Sequence, residues 1–407
     1  MARVPVFSYG VLGLPLAFAA LPLYVHVPPL YAEVAGLSLV SLGAILLAAR
    51  LFDAAIDPWL GWLADRWPRR PLLAAALLPF AAGFVALLNP PTENGAVWLL
   101  GALVLTYIGF SAATVAYQAW GADLGRDAVD RTRLTAAREG FALLGVLLAA
   151  ALPAVLAASP TAGIRRLSWL LPPLLLLAAL VSLGRVGPGS PPSRPAAPLG
   201  ASLRRVVADV AFRRLLLIFV ANGIASALPA TLFLFFVADV LQVPAASGAL
   251  LALYFLAGAA SLPLWLSLAR RHGRPFAWLL SMMLAMLSFA GAGLLGAGDL
   301  WLFALICLTS GLALGADLSL PAALAADMGD RLGQAGGCFG VWNFVAKLNL
   351  ALAAGLALPL LGVLGYVPGS GQGLPALSLA YAVLPLLGKA LAVALLWRWR
   401  HLLESSS

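Results

Sequence analysis

The chain alternates long apolar runs with short polar breaks, and this pattern defines its elements. The runs lack the strict one-in-two alternation of barrel strands, and most reach the roughly 20 residues that carry a helix across a hydrocarbon core. Reading from break to break predicts about twelve helices. The first set falls near 10–32, 38–64, 72–89, 96–122, 136–158 and 167–184; the second falls near 214–238, 246–269, 276–296, 300–326, 337–364 and 375–397.

The stretch between the two sets, VGPGSPPSRPAAPLGASL at 186–203, is rich in Pro, Gly and Ser and cannot form a membrane helix. It divides the chain into an N-terminal bundle over 1–185, a linker over 186–210 and a C-terminal bundle over 211–407. The halves echo each other. ADRWPRRP at 64–71 follows the second helix of the first half, and ARRHGRP at 269–275 follows the second helix of the second. Equivalent basic turns at equivalent places indicate an internal duplication. The expected fold class is an all-α integral membrane protein, with twelve transmembrane helices in two six-helix pseudo-repeat bundles.

Composition sharpens this reading. The 407 residues are 62% hydrophobic and only 10% charged, and the mean hydropathy is +0.98, far from the balance of a soluble domain. The net charge of +9 is a matter of topology. Arg3, Arg66, Arg69, Arg70, Arg126, Arg131, Arg133, Arg194, Arg204, Arg205, Arg270, Arg271, Arg274, Arg398 and Arg400 all fall on one side, which is cytoplasmic by the positive-inside rule, with both termini there too. Arg165 and Arg166 are the exceptions. The basic surface therefore faces membrane lipids, and no nucleic-acid partner is expected. Cys307 and Cys338 fall inside predicted helices and read as packing residues. No cleavable leader is expected, because the first apolar run is too long and many more follow. An enzyme is not expected either: there is no nucleophile-and-base set or phosphate loop, the histidines at 26, 272 and 401 are scattered, and no cofactor is implied.

One helix departs from the apolar pattern. RLFDAAIDPWLGWLADR at 50–66 places Arg50, Asp53 and Asp57 on one face of a membrane helix. Two carboxylates one turn apart in low dielectric repel each other and favour a proton or a cation between them. The alternative is a buried pair between Arg50 and one aspartate that fixes helix packing. Pro58 frees a backbone carbonyl near Asp57, which suits either reading.

GWLADRWPRR at 61–70 resembles the G-x-x-x-D-R-x-G-R-[RK] loop of the major facilitator superfamily, with Pro68 where glycine is usual. Its matching positions, Gly61, Asp65, Arg66, Arg69 and Arg70, are the expected gating loop. The charged second helix is similar to that of the glycoside-pentoside-hexuronide:cation symporter family, the melibiose permease relatives. The stretches 117–141, 253–275 and 315–366 also resemble that family's fourth-to-fifth junction, eighth helix, and tenth and eleventh helices. The resemblance implies a bacterial inner-membrane symporter in which Asp53 and Asp57 bind the coupling ion, with Lys347 nearby on the eleventh helix. An ammonium beside two carboxylates can stand in for the ion in the empty state. Arg138 matches the arginine that lines the family's sugar pocket; read alone, it could equally pair with Glu139 or Asp123.

The chain also departs from the family. Ile56 replaces an asparagine of the second-helix pattern and removes one sodium ligand, so proton and sodium coupling both stay open, with Asp53 and Asp57 as metal ligands only in the sodium case. The family's first- and fourth-helix aspartates correspond to Ala17 and a position at or next to Thr114, neither acidic. Candidate substrate contacts are Arg50, Thr114, Tyr117, Arg138, Tyr254, Asp317, Trp342 and Asn343. Asp317 could bind solute, carry a second proton, or pair with Lys347. Asn222, Asn343 and Asn349 could line the pathway or bond between helices. The first reading is symport of a small polar solute, a sugar or glycoside, by a monomer working by alternating access. The rivals are a carrier of organic anions or lipid-like amphiphiles, held by Arg50, Arg138 and Lys347, and a membrane sensor that binds without transport.

Overall fold

The computed structural model describes residues 5–34, 39–157, 160–189, 198–367 and 369–405. Arg3 and the linker residues 190–197, with Arg194, lie outside them. The first helix is broken into Val6–Gly10, Gly13–Leu21, a π-helical turn Pro22–His26, and Val27–Val34. The second to fifth are Leu39–Ala64, Arg69–Leu88, Gly95–Leu124 and Ala128–Leu156, and the sixth is split into Pro160–Ser168 and Leu171–Arg185. A short amphipathic helix, Leu199–Ala208, precedes the second set. The seventh is Val210–Phe235, continued by a π-helical turn Phe236–Val240, and the eighth and ninth are Ser247–His272 and Arg274–Ala290. The tenth to twelfth are Leu300–Leu332, Ala335–Val363 and Leu374–Ser405. Among the described residues, nine of these stretches are long and apolar enough to cross a membrane; the first, second and eleventh complete the set. The opening helix of each half carries a π-helical turn, Pro22–His26 within the first helix and Phe236–Val240 at the end of the seventh.

The basic turns of the two halves solve one problem in two ways. Between the second and third helices, Pro68 sits at φ −56°, ψ 130° and forces the chain out of helix. Between the eighth and ninth, Gly273 turns at φ +87°, where a side chain would be strained. Polar residues near other breaks extend helices instead of ending them. The fifth helix starts at Ala128, not near 136, because Asp127 caps it by accepting from the Asp130 amide at 2.7 Å. Arg166, one of the two exceptions to the charge rule, donates to the Leu156 carbonyl at 2.6 Å, where a cation is favoured at the last turn of the fifth helix.

The helices group into two compact units: Met1–Ala208 with Ala325–Phe344, and Asp209–Leu324 with Val345–Ser407. The first unit relies on backbone-to-backbone approach. A Cβ at Gly109 would lie 2.3 Å from the Phe80 amide nitrogen, and one at Gly83 would lie 2.6 Å from that of Thr106, so the third and fourth helices meet along glycine. The second unit has an aromatic centre, with Phe236 stacked on Tyr381 at 4.1 Å between ring centroids and Phe303 against both.

Two glycines of the fourth helix give a paired test of this packing. Gly109→Ala is expected to destabilise the purified protein by about 1–3 kcal/mol through overpacking, read as a lower melting temperature in detergent. Gly101→Ala, where a Cβ meets nothing within 4 Å, is expected to leave the melting temperature unchanged or raise it.

Candidate functional site

The charges of the second helix do not all face the same surroundings. Asp57 is fully buried and Asp53 nearly so, whereas Arg50 is exposed. The fourth helix supplies Ser111, whose hydroxyl donates to Asp53 Oδ1 at 2.7 Å. Ser111 is itself buried, so the bond joins two sheltered groups. The Asp57 backbone is approached closely by Gly340 of the eleventh helix, where a Cβ would fall 2.5 Å from the Asp57 carbonyl oxygen. Thr114, one turn beyond Ser111, is half-buried, and its sheltered hydroxyl has no hydrogen-bond partner among the described residues.

Deeper in the first unit, Tyr117 and Arg138 are locked into packing. Tyr117 is buried, with its ring 4.5 Å from that of Tyr9, and the two hydroxyls exchange hydrogen bonds with each other's backbone carbonyls. Arg138 is also buried, and its Nε donates to Glu139 Oε1 at 3.0 Å. Of the two acids considered for Arg138, the structure pairs it with Glu139. On the eleventh helix, Asn343 donates to Gln118 of the fourth at 2.8 Å, and Trp342 is buried.

The gating loop is built around Asp65. Its carboxylate accepts from the backbone N–H groups of Gly336 and Gly337, both at 2.6 Å, and from Arg69 at 3.0 Å. The two amides open the eleventh helix, so the carboxylate sits where orphan donors and the helix dipole favour an anion. Burial raises the Asp65 carboxyl above its ordinary range, while Arg69 and the two amides pull it down. Arg69 also reaches Asp123 at 3.1 Å. Gly61 permits the approach: a Cβ there would lie 2.3 Å from the Gly336 carbonyl oxygen. Arg66 is exposed over the Trp62 ring, and Arg70 donates to the Leu183 carbonyl.

Sequence reasoning missed the second part of this cluster. Arg131 holds Asp327 at 2.9 Å and Asp330 at 2.6 Å. These acids close the tenth helix, and the pairs help explain why Ala325–Phe344 groups with the first unit.

The second unit holds the other candidates. Asp317 accepts from the Trp278 indole at 2.8 Å and from Lys389 at 2.5 Å. Its partner is therefore Lys389 of the twelfth helix, not Lys347. Lys389 is a lone lysine in LPLLGKALAVALL, visible in the sequence but assignable to a partner only from the fold. Lys347 is half-buried on the eleventh helix, and Asn349 donates to the Phe219 carbonyl at 3.3 Å. Tyr254 is half-buried with its ring against Phe255. Among the described residues, no three His, Cys, Asp or Glu side chains converge as a metal cage.

Hydrogen exchange tests the Asp65 contact. Asp65→Ala is expected to speed exchange of the Gly336 and Gly337 amides by about 10–100-fold, the loss of charge-assisted bonds of roughly 1.5–3 kcal/mol. Arg66→Ala, which leaves the Asp65 carboxylate in place, is expected to leave those amides unchanged.

Comparison with known proteins gives this geometry a family. A family model described as MFS/sugar transport protein matches residues 6–401. The uncharacterized symporter YnaJ of Bacillus subtilis is 31% identical over 150 residues, 34% of this chain and 32% of that protein. The uncharacterized symporter sll1374 of Synechocystis is 29% identical over 140 residues, 31% of this chain and 26% of that protein. The matched stretch thus spans about a third or less of these relatives. Among solved structures, the E. coli fucose:proton symporter FucP aligns over 97% of this chain and 98% of its own, with a TM-score of 0.73 at 17% identity. A bacterial homologue of the iron transporter ferroportin aligns over 98% of this chain and 100% of its own, with a TM-score of 0.75 at 15% identity. These two likenesses establish the fold, that of major facilitator transporters. With the family model covering nearly the whole chain, the protein is an integral membrane protein and belongs to the MFS/sugar transport protein family.

Proposed function

We propose that this protein is a cation-coupled symporter of a small polar solute, a sugar or glycoside, and that Asp53 and Asp57 bind the coupling ion. The observation that carries the reading is the burial of both carboxylates within one membrane helix, with the Ser111 hydroxyl on Asp53. Charges at such depth are costly to bury and are typically kept for ion or substrate pathways. Two close carboxylates bind a proton readily, since a shared proton relieves their repulsion. They also bind sodium, with hydroxyl and carbonyl oxygens completing the shell. The family description and the symporter names of the relatives support symport. Lys347, on the eleventh helix, is the group proposed to replace the ion when the site is empty. Thr114, with its unused hydroxyl, and Asn343 are proposed as solute contacts. We place the protein in a bacterial inner membrane as a monomer with cytoplasmic termini.

The test is reconstitution into liposomes, followed by solute-induced proton and sodium flux across a panel of sugars and organic acids. A sugar is expected to drive cation movement in the unaltered protein, and Asp53→Asn and Asp57→Asn are each expected to lower coupled flux by at least about 100-fold, in line with loss of a buried charged partner. Flux that persists in both variants would leave the carboxylates a structural role only. Flux driven by organic acids alone, with none for sugars, would favour the anion carrier, whose basic groups would be Arg50, Arg138 and Lys347.

A further inference from the structure

The seventh and twelfth helices of the second unit pack antiparallel and in register. Lys389 donates to Asn222 Oδ1 at 2.7 Å, a Cβ at Gly388 would lie 2.8 Å from the Ala225 side chain, and the Arg214 guanidinium stands 5.3 Å from the centre of the Trp399 ring. Numbers fall along one helix as they rise along the other, so Arg213 and Arg214 share a level with Arg398 and Arg400. These arginines are thus gathered within about 3 Å of axial rise, at ~1.5 Å per residue.

The cluster is held in place without being neutralised. In the first unit, Arg69, Arg126 and Arg131 each pair with a carboxylate. Among the described residues, no ion pair joins Arg213, Arg214, Arg398 or Arg400 to one. Two of them rest on rings instead: Arg214 on Trp399, and Arg400 at 3.6 Å from the centre of Trp397, with its Nε donating to His401 Nε2 at 3.3 Å. Asp209, the acid that opens the seventh helix, caps it by accepting from the Phe212 amide at 2.8 Å. A guanidinium stacked on an indole keeps its charge, and its in-plane N–H donors stay available past the ring edge. Arg213 and Arg398 are exposed.

The level of the cluster decides what it meets. Arg398 lies about 36 Å of helix beyond Leu374, and Arg214 about 32 Å before Phe235. A hydrocarbon core is roughly 30 Å thick, so both helices bring their arginines to headgroup depth. Beneath them the twelfth helix presents one exposed apolar stripe, Val383, Leu387, Leu391 and Ala394, which ends in exposed Trp397 and Arg398. Acyl chains can lie along the stripe while the arginines face the headgroup of the same lipid.

We propose that the seventh and twelfth helices bind the phosphate of an anionic phospholipid at this cluster. Arg213 and Arg398 supply free donors, and the ring-stacked Arg214 and Arg400 supply charge already in position. A zwitterionic headgroup carries its own cation beside the phosphate and gains less from the same four arginines. The inference rests on membrane insertion and is independent of symport.

The test uses purified full-length protein in detergent, titrated separately with dioleoylphosphatidylglycerol and dioleoylphosphatidylcholine, with the affinity of the first lipid bound read by native mass spectrometry. The unaltered protein is expected to prefer phosphatidylglycerol. Arg213→Gln with Arg398→Gln is expected to weaken phosphatidylglycerol binding by about 10–30-fold and to leave phosphatidylcholine binding unchanged. Arg270→Gln with Arg271→Gln removes the same charge from another exposed basic end of this unit and is expected to change neither. Equal affinity of the unaltered protein for the two lipids would overturn the proposal, as would a preference that survives the first pair of changes or falls equally with the second. Displacement of the lipid by inorganic phosphate at equal concentration would overturn it too, by making the site one for a free anion. Since all four substituted side chains are exposed, melting temperatures without added lipid are expected to match that of the unaltered protein, which assigns any difference to binding.

Discussion

A charge inside hydrocarbon must find its partner within the protein, and much of this molecule can be read as answers to that demand. Several deep ionisable groups are met by a group on another helix or on their own. Ser111 meets Asp53, Glu139 meets Arg138, and Lys389 with Trp278 meets Asp317. Water would solvate these groups without regard to direction. Lipid cannot, so the partners must be placed by helix packing, and the packing must be close.

Glycine makes that closeness possible. Where the fourth helix crosses the third, and where the eleventh crosses the second, a single methyl group would collide with backbone atoms. Lipid tails supply little hydrophobic drive between helices, so association depends on such contacts and on the polar bonds they bring within reach. The two effects are coupled. A helix held off by one carbon would lose both its dispersion contacts and the hydrogen bond whose donor it carries.

The fold class is legible in the sequence because twelve apolar runs, a Pro- and Gly-rich divider and a repeated basic turn are one-dimensional signals. Helix ends are less legible. Asp127 reads as the end of a polar loop, yet its side chain caps a helix that runs on through Arg131 and Arg138. The charged residues of the second helix can be named at once, since charges stand out in an apolar run. Their partners cannot, because Ser111 is one hydroxyl among many and lies on another helix. Lys389 shows the same limit: a lone lysine declares itself, but choosing Asp317 over the other acids requires knowing which helices meet. Arg131 reads in sequence only as a topological marker, and its grip on Asp327 and Asp330 depends on a contact between distant parts of the chain.

The bonds from Gly336 and Gly337 to Asp65 come from main-chain nitrogens. Such donors are present whatever side chain occupies those positions, except proline, and they neither gain nor lose charge with acidity. The receiving side is a single carboxylate shared with one arginine. All adjustment of this fastening therefore falls on two side chains and on how much bulk the helix start can tolerate. A latch made this way cannot be retuned gradually from its backbone half; it can only be unfastened by removing the acid or wedged apart by adding a carbon.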